Sequence, residues 1–542
     1  MMEEQRKKIH RRWESLKTER TSWISHWREI SENILPRNGR FIDDDSNDGR
    51  KKHNKIYDNT PIRALKILSA GLMGGLTSPS RPWFKLAMHN DEMNQYHEVK
   101  EWLSKVESMM LSVFQRSNIY GSLHSMYEEL AAFGTAACII LPDYEDVIRC
   151  YPLTIGEYAV ATNWRGEIDT IYREFEKTVG ETVEEFGIEN VSDATRQNYE
   201  DGKYDAKVKI IHAIEPRRDR DLTRKDSKNM PYKSVYIETG AEEGKILRES
   251  GFLRFPAVCP RWDITDNNVY GNSPAMTALG DIKQLQFNQT SKLKGIDYQV
   301  NPPIIAPTDM KTQSAGFLPG GILYHDSNGT GDTIRSAFDV RIDLNHLLED
   351  IADVRQRVQS AFYADLFLMV SQQSQNMTAT EVAERHEEKM LMLGPVLERL
   401  QNELIDPLIE ITFDAMVRAG ILPPPPDAIA DQDINVVLVS ILAQAQRAIG
   451  VNSIDRFVGA LASVAQVKPE VLDNFNGDKW AEIYADSLGI DPRILMNPEE
   501  VAAIRQQRME QQTQAQQLHQ MEQGAGIAKS LAQAQSLSDD EY

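Results

Sequence analysis

Cysteine, long apolar runs and the short motifs of nucleotide and metal chemistry are what this chain has least of. Its three cysteines, Cys138, Cys150 and Cys259, stand far apart and form no CxxC pair. Neither a disulfide framework nor a zinc site is indicated, and a reducing compartment fits. No window approaches about 18 consecutive apolar residues, and the charged start from Met1 to Lys8 has no apolar run behind it. We therefore expect a soluble, untargeted chain with no membrane partner. The glycines at Gly71, Gly74 and Gly75 lack the following Lys-Ser or Lys-Thr of a phosphate loop, and no GxGxxG opens a helix after a strand. His386-Glu387-Glu388 has no second histidine four positions on, which a zinc protease helix requires. Gly271-Asn272-Ser273-Pro274-Ala275 imitates a nucleophile elbow, but that site uses the amide hydrogen after the serine and Pro274 has none. Asp43 to Gly49 imitates a calcium loop, yet the register that puts Gly49 at the turn puts Lys55 where the bidentate glutamate belongs. No catalytic residue, cofactor or metal is expected. A cryptic hydrolase is the reading these defects disfavour.

What is present is size and acidity. With 542 residues and 41% hydrophobic side chains the chain can bury a large core and form several units. A formal net charge of -21 speaks against a protein that grips phosphate over its whole surface, although an acidic body can carry local basic stripes.

The chain is organised around two long helical patterns between Val340 and Pro423. In the first, Leu344, Leu347, Leu348, Ile351, Val354, Val358, Phe362 and Leu366 recur at three or four residues, one stripe of an amphipathic helix. The second opens with Thr378-Ala379-Thr380-Glu381, a capping box, and runs until Gly420 and the prolines from Pro423 stop it. Pro395 and Pro407 lie inside it, so a bend or break is expected there. Between the arms, Met369 to Met377 is polar and uncharged, with Gln372, Gln373 and Asn376 at its centre.

Elsewhere the period changes in blocks. Ile9 to Ile34 reads as a helix carrying Trp13, Trp23 and Trp27 on or near one face. Pro61 opens another through Leu65, Leu68 and Leu72, after which the glycines should loosen the backbone. Two more helices fill 91–134. Ala136 to Arg261 alternates as strands with turns such as Asn163-Trp164-Arg165-Gly166 and a small helical insert near 177–200. Ser273-Pro274 caps a long helix ending before Asn301-Pro302-Pro303, and 302–341 reads as a compact strand-and-turn insert. Three short helices are expected over 433–449, 452–467 and 478–488, then one from Asn497 that passes into a Gln-rich tail with too little apolar area to fold alone. The fold class is α+β, predominantly helical.

Several stretches in this order resemble one family. They are the tryptophan-rich entry from Trp23 through ILPRNGRF to Phe41, GLMGGLTSPSRPWFKL from Gly71, and YGNSPAMTALGDIKQLQ from Tyr270. LPGGI from Leu318, TATEVAERHEEK from Thr378 and LGPVLERLQNELIDPLI from Leu393 follow. Together they resemble the portal proteins, or head-to-tail connectors, of T7-like short-tailed bacteriophages. The resemblance implies a dodecameric ring at one capsid vertex of the virion, assembled in the host cytoplasm. Double-stranded DNA would pass through its channel during packaging and ejection. The implied partners are a terminase motor, capsid and scaffolding proteins, a tail adaptor and internal core proteins. It assigns 1–265 to an α+β wing, 266–301 and 342–367 to stem helices, 302–341 to a clip and 368–380 to a tunnel loop. A long linking helix (381–430), a helical crown (431–504) and the Gln-rich tail (505–542) complete it. On this reading Lys283, Lys292, Lys294, Gln372, Gln373 and Asn376 are candidates for the DNA channel, and Leu347, Ile351 and Val358 for the seam between subunits. The lysines could equally stand on a solvated outer or intersubunit face. Another phage structural ring, such as a head-tail adaptor, is the alternative.

Overall fold

The computed structural model describes residues 2–41, 55–88, 96–224, 226–239, 245–308, 316, 318–325, 334–337, 344–369, 392–426, 434–438, 457–465, 468, 470–471, 475–488, 496 and 501–513. The chain divides into two units, Met1–Ala443 and Gln444–Tyr542. The first begins with α1 (Met2–Asn33), α2 (Thr60–Leu76), strand β1 (Phe84–Met88), α3 (His97–Arg116) and α4 (Ile119–Phe133). Strands β2 (Ala137–Asp143), β3 (Val147–Leu153), β4 (Tyr158–Thr162) and β5 (Ile168–Thr178) follow, then the short helices α5 (Val179–Phe186) and α6 (Asp193–Glu200). β6 (Lys207–Pro216), β7 (Tyr232–Glu238), β8 (Ile246–Phe252) and β9 (Ala257–Val258) complete the β-rich section where alternation predicted it.

β4 to β8 form an antiparallel five-stranded sheet in sequence order, and period two decides what each face receives. On β6, Ile211 and Ala213 point to one side, where Ile9, Trp13 and Leu16 of α1 cover them with Tyr172, Val235 and Ile237. Ile210 points to the other, into a cluster with Phe186, Val191, Tyr236 and Leu247 under the α5–α6 insert. Each of these large side chains contributes roughly 1.5–3 kcal/mol by leaving water. α1 then continues off the sheet. Its Trp27, fully buried, donates its indole N–H to the Phe133 carbonyl at 3.2 Å and meets Tyr270 edge-on at 5.0 Å.

α7 (Pro274–Val300) starts at that junction. Ser273 caps it, its hydroxyl accepting from the Met276 amide at 3.0 Å and donating to the Ala132 carbonyl at 2.7 Å. The approach is close because both backbones are glycine there. Gly134 ends α4 at φ +76°, and a Cβ on it would lie 2.1 Å from the Gly271 carbonyl oxygen. After α7 come β10 (Ile304–Pro307), β11 (Ile322–His325) and β12 (Arg335–Ser336), a small sheet ordered β11-β10-β12, so the described part of the insert at 302–341 is strand and turn as expected. α8 (Leu344–Ala361) returns along α7, α9 (Ala364–Met369) follows, α10 spans 392–400, and α11 is Asp406–Arg418.

Several expectations need correction. The stripe from Leu344 to Leu366 does not lie on one helix: the chain breaks at Phe362-Tyr363, with Tyr363 at φ +53°, yet Val358, Phe362 and Leu366 all stay buried. Gly71, Gly74 and Gly75 do not loosen α2 but lie within it. A Cβ on Gly71 would sit 2.3 Å from a ring carbon of Phe367, so this glycine lets α9 dock. Asp433–Ile449 does not open as a helix. Ile434–Leu438 is β13, paired antiparallel with β1 from Phe84↔Leu438 to Met88↔Ile434, and it belongs to the first unit. The β-branched Ile-Asn-Val-Val-Leu suits a strand, and a distant partner decided the matter. The break expected from Pro407 is real and takes the form of a π-turn at Gln401–Ile405, closed by the Asp406 amide on the Gln401 carbonyl. Gly420 ends α11 at φ +67°, with the Ile421 amide reaching back to Met416, a Schellman cap.

In the second unit, 457–465, Gly477–Leu488 and 501–513 are helical, and Arg505 forks onto Asp478 at 2.5 and 2.6 Å. The Asp43–Gly49 segment, the capping box at Thr378, His386 and the tail beyond 513 lie outside the described residues. No helix among the described residues is long and apolar enough to cross a membrane.

Gly134→Ala tests the α4–α7 junction. It combines a strained φ with a backbone clash and should destabilise the chain by several kcal/mol, whereas the same exchange at an unstrained position stabilises by about 0.4–1 kcal/mol. A thermal midpoint equal to the parent's would refute the close approach.

Candidate functional site

α7 and α8 form an antiparallel pair held by side chains at regular intervals. Arg357 reaches Asp281 at 3.1 Å near the base, and Gln284 and Asn288 donate to Asp350 a few turns further out. At its inner edge lies Asp58, only 3% exposed in its side chain. One carboxylate oxygen accepts from the Thr60 amide and hydroxyl at 2.9 and 2.6 Å, at the start of α2. The other accepts from Gln289 on α7 at 2.8 Å and from both Nε and Nη2 of Arg355 on α8 at 3.0 and 2.8 Å. Gln286 completes the joint. Its carbonyl takes the Tyr57 and Asp58 amides, and its nitrogen donates to the Asp58 carbonyl. Burial pushes the Asp58 carboxyl upward, but the bonds from Thr60, Arg355 and Gln289 outweigh it and hold the pKa below the ordinary value.

The sequence candidates fall on this frame unevenly. Lys283 forms an ion pair with Glu29 of α1. Lys292 is half-buried and Lys294 exposed, further out on α7. Ile351 and Val358 are buried within a single chain, 2% and 0% exposed, and Leu347 is half-buried. Gln372, Gln373 and Asn376 lie outside the described residues. Large apolar side chains do stand in water on the outer half of the pair: Leu293 (52%), Ile296 (37%) and Val300 (70%) on α7, and Leu348 (47%) on α8. Sequence reasoning missed Asp58 and its partners. The available signal was Gln286 and Gln289, two amides interrupting the apolar side of α7.

A cleft of about 1300 Å³ opens between the β4–β5 turn and the π-turn. Arg261, 4% exposed, forks onto Glu403 there, with Nη2 at 2.7 Å and Nε at 3.2 Å. Glu403 is the residue whose carbonyl Pro407 cannot satisfy in a regular helix, so the π-turn and the ion pair occupy one spot. Asp406 lines the same cleft with one carboxyl oxygen buried and unpartnered. Burial first, and the nearby Glu410 second, raise its pKa to about 6.

None of this is a catalytic arrangement. Ser273 is 2% exposed and spends its hydroxyl on the cap of α7. His212 stacks on Tyr236 at 3.8 Å, with Arg173 donating to Nδ1 and Ser234 at Nε2, and burial drives its pKa well down. The buried Glu129 carboxyl, raised to about 7 by burial, accepts from Thr154, Ile155 and Asn38 and joins α4 to the turn that follows α1. Among the described residues no group of His, Cys, Asp or Glu could hold a metal.

The described residues thus give a braced helix pair with a small sheet at one end and a β lobe at the other. The chain belongs to the family described as bacteriophage head to tail connecting protein, whose model matches residues 6–495. It is 54% identical over 528 residues to the "Probable portal protein" of Bordetella phage BPP-1, covering 97% of this chain and 95% of that one. It is 42% identical over 538 residues to the "Portal protein" of Salmonella phage epsilon15, covering 99% and 97%. A chain of the solved "Virion of native gene transfer agent (GTA) particle" aligns at 10% identity with a TM-score of 0.36 over 80% of this chain and 91% of that one, which adds nothing to the sequence relationship. The protein is thus a portal-type connector of the phage particle, a structural component and not an enzyme.

Two substitutions test the electrostatics. Asp58→Ala leaves the buried Gln289 amide and the Thr60 N–H at the start of α2 without their acceptor, while the half-exposed Arg355 turns to water, at a cost of roughly 2 kcal/mol, and because the Asp58 pKa is depressed the parent should lose this advantage as pH falls below about 4. Denaturant midpoints that match the parent's at pH 7 would contradict it. Asp406 has the opposite sign: its raised pKa stabilises the fold below about 4, and that is lost as pH rises toward 6. Asp406→Asn, which cannot ionise, should therefore gain on the parent between pH 4 and pH 7. An equal difference in melting temperature at both values would count against the unpartnered carboxyl.

Proposed function

We propose that copies of this chain form a ring, twelve in the family pattern, around a channel for double-stranded DNA at one vertex of the capsid. The observation that carries the reading is the apolar strip on the outer half of α7 and α8, in a chain whose relatives are named portal proteins. Leu293, Ile296, Val300 and Leu348 are too exposed for a pair packed only on itself, and a neighbouring copy is the natural cover. The seam then runs along these residues. Ile351 and Val358 hold α8 to its own subunit, and Leu347 stands at the boundary.

In this ring the β lobe and its helices form the wing (1–265), α7 and α8 the stem (266–301 and 342–367), and the sheet of β10, β11 and β12 the clip (302–341). A tunnel loop (368–380), a linking helix (381–430), a crown (431–504) and the Gln-rich tail (505–542) follow, with β13 as the part of the crown span that returns to the first unit. The clip would dock a terminase motor during packaging and a tail adaptor afterwards, while capsid, scaffolding and internal core proteins surround the wing. Lys292 and Lys294 would supply weak cationic contacts to DNA, and the uncharged Gln372, Gln373 and Asn376 would let it slide. Lys283 fits less well, because it already pairs with Glu29 of α1.

Negative-stain electron microscopy of the purified protein should show rings with a central hole. Leu293→Asp with Ile296→Asp should give folded monomers, seen as small particles with an unchanged circular dichroism spectrum. Rings that survive both charges would move the seam elsewhere, and a parent that forms no rings would sink the reading.

A further inference from the structure

We infer that the exposed face of α1 is a second contact for the DNA backbone, separate from the proposed channel; this rests on the proposed function for the presence of DNA. Residues 6–12 read Arg-Lys-Lys-Ile-His-Arg-Arg, five cations with no carboxylate among them, in a chain whose net charge is -21. The helix sorts them. Ile9 and Trp13 are buried on the five-stranded sheet, which leaves Lys7, Lys8, Arg11 and Arg12 exposed as two adjacent i,i+4 columns.

The mount is rigid. Trp13 donates to Glu174 at 3.2 Å, and Arg6 donates to the Glu238 carbonyl at 3.2 Å, fixing the helix to the strands below. The carboxylates that could quench the patch are few or engaged. Glu174 holds Trp13, and Glu176 pairs with Lys207 at 3.2 Å. Glu3 and Glu4 reach Lys7 and Lys8 at 2.6 and 3.7 Å, but all four side chains are more than 60% exposed, and such pairs exchange readily with solvent. Arg11 and Arg12 stand a turn beyond them.

The chemistry favours phosphates over an acidic protein. No large apolar side chain is exposed among the cations, so the patch lacks the buried aromatic or aliphatic anchor that protein interfaces use. Long flexible cations without such an anchor suit a regular array of charges read without sequence preference.

The test is fluorescence anisotropy of a labelled 30-base-pair duplex titrated with the full-length protein as purified, over 50–300 mM potassium chloride. The variant carries Lys7→Gln, Lys8→Gln, Arg11→Gln and Arg12→Gln. It should bind about tenfold or more weakly at 100 mM salt. The slope of log affinity against log salt should fall by roughly two to four, near 0.9 for each phosphate that is no longer neutralised. Lys100→Gln with Lys105→Gln, two exposed lysines on α3, should leave this binding largely intact. Equal affinity and slope in the quadruple variant would overturn the inference, as would a parent that binds polyglutamate but not the duplex. Micrographs of the same preparations separate the two ideas: missing parent rings count against the proposed function, whereas intact rings with unchanged DNA binding count against the α1 contact alone.

Discussion

Asp58 is one buried charge answered by three helices. Its two oxygens take bonds from Thr60 at the start of α2, from Gln289 on α7 and from Arg355 on α8. A carboxylate in that position is costly unless every lone pair is used, and here the geometry uses them. The consequence is register. An apolar stripe tolerates sliding by a turn, because one leucine replaces another, but a buried carboxylate does not tolerate losing its guanidinium. Asp58 therefore fixes how far α8 lies along α7, and through α2 it ties that pair to α9, which packs over Gly71. The outward rungs at Asp281–Arg357 and Asp350–Asn288 repeat the same register at lower energy, since they are more exposed.

A second constraint acts on the far side. Pro407 removes an amide from a long helix, and a regular turn would leave a carbonyl without its donor. The chain widens to a π-turn instead, and Glu403, in the middle of it, is aimed at Arg261 near the end of the β lobe. The defect imposed by proline thus becomes a cross-link between helix and strands. Arg254, reaching Glu410 at 2.6 Å and Asp414 at 2.7 Å, continues that line along α11. Asp406 is the group left out, which is why its proton is held so far above the ordinary carboxylate range.

The sequence was most legible where local period and burial agree. α7 with its Ser273 cap, the strands from Ala137 to Phe252 and the α5–α6 insert follow from spacing, because each has a clear period or cap of its own whichever partner covers it. It was least legible where a distant segment decides. Ile434–Leu438 continues an apolar pattern that suits either period, and only pairing with Phe84–Met88 makes it a strand. The break at Tyr363 is invisible in the stripe because Phe362 and Leu366 remain buried on either side of it. The ion-pair partner of Lys283 comes from α1, and periodicity in α7 carries no trace of it. The family resemblance reached further than any of these readings, since its motifs carry the outcome of such distant contacts without explaining them.

If copies of the chain form the proposed ring around DNA, the distribution of charge along the helix pair bears on how the polyanion passes. Outward-facing groups on α8 include Glu349 and Asp353, 79% and 66% exposed, whereas those on the outer half of α7 include Lys292 and Lys294. The two faces would treat DNA oppositely. A ring lined by α8 would repeat carboxylates around the duplex, keeping phosphates and their counterions off the wall. A ring lined by α7 would repeat lysines and exchange counterions at each step, which slows passage and makes it dependent on salt. The exposed apolar residues help to choose between them. Leu293, Ile296 and Val300 occupy one side of α7, and if a neighbouring copy covers that side, Lys294 is turned away from the seam while Leu348 brings α8 against it. In the proposed ring, a wall that alternates weak cations with carboxylates at each subunit boundary would hold phosphate less than lysines alone and exchange fewer counterions at each step.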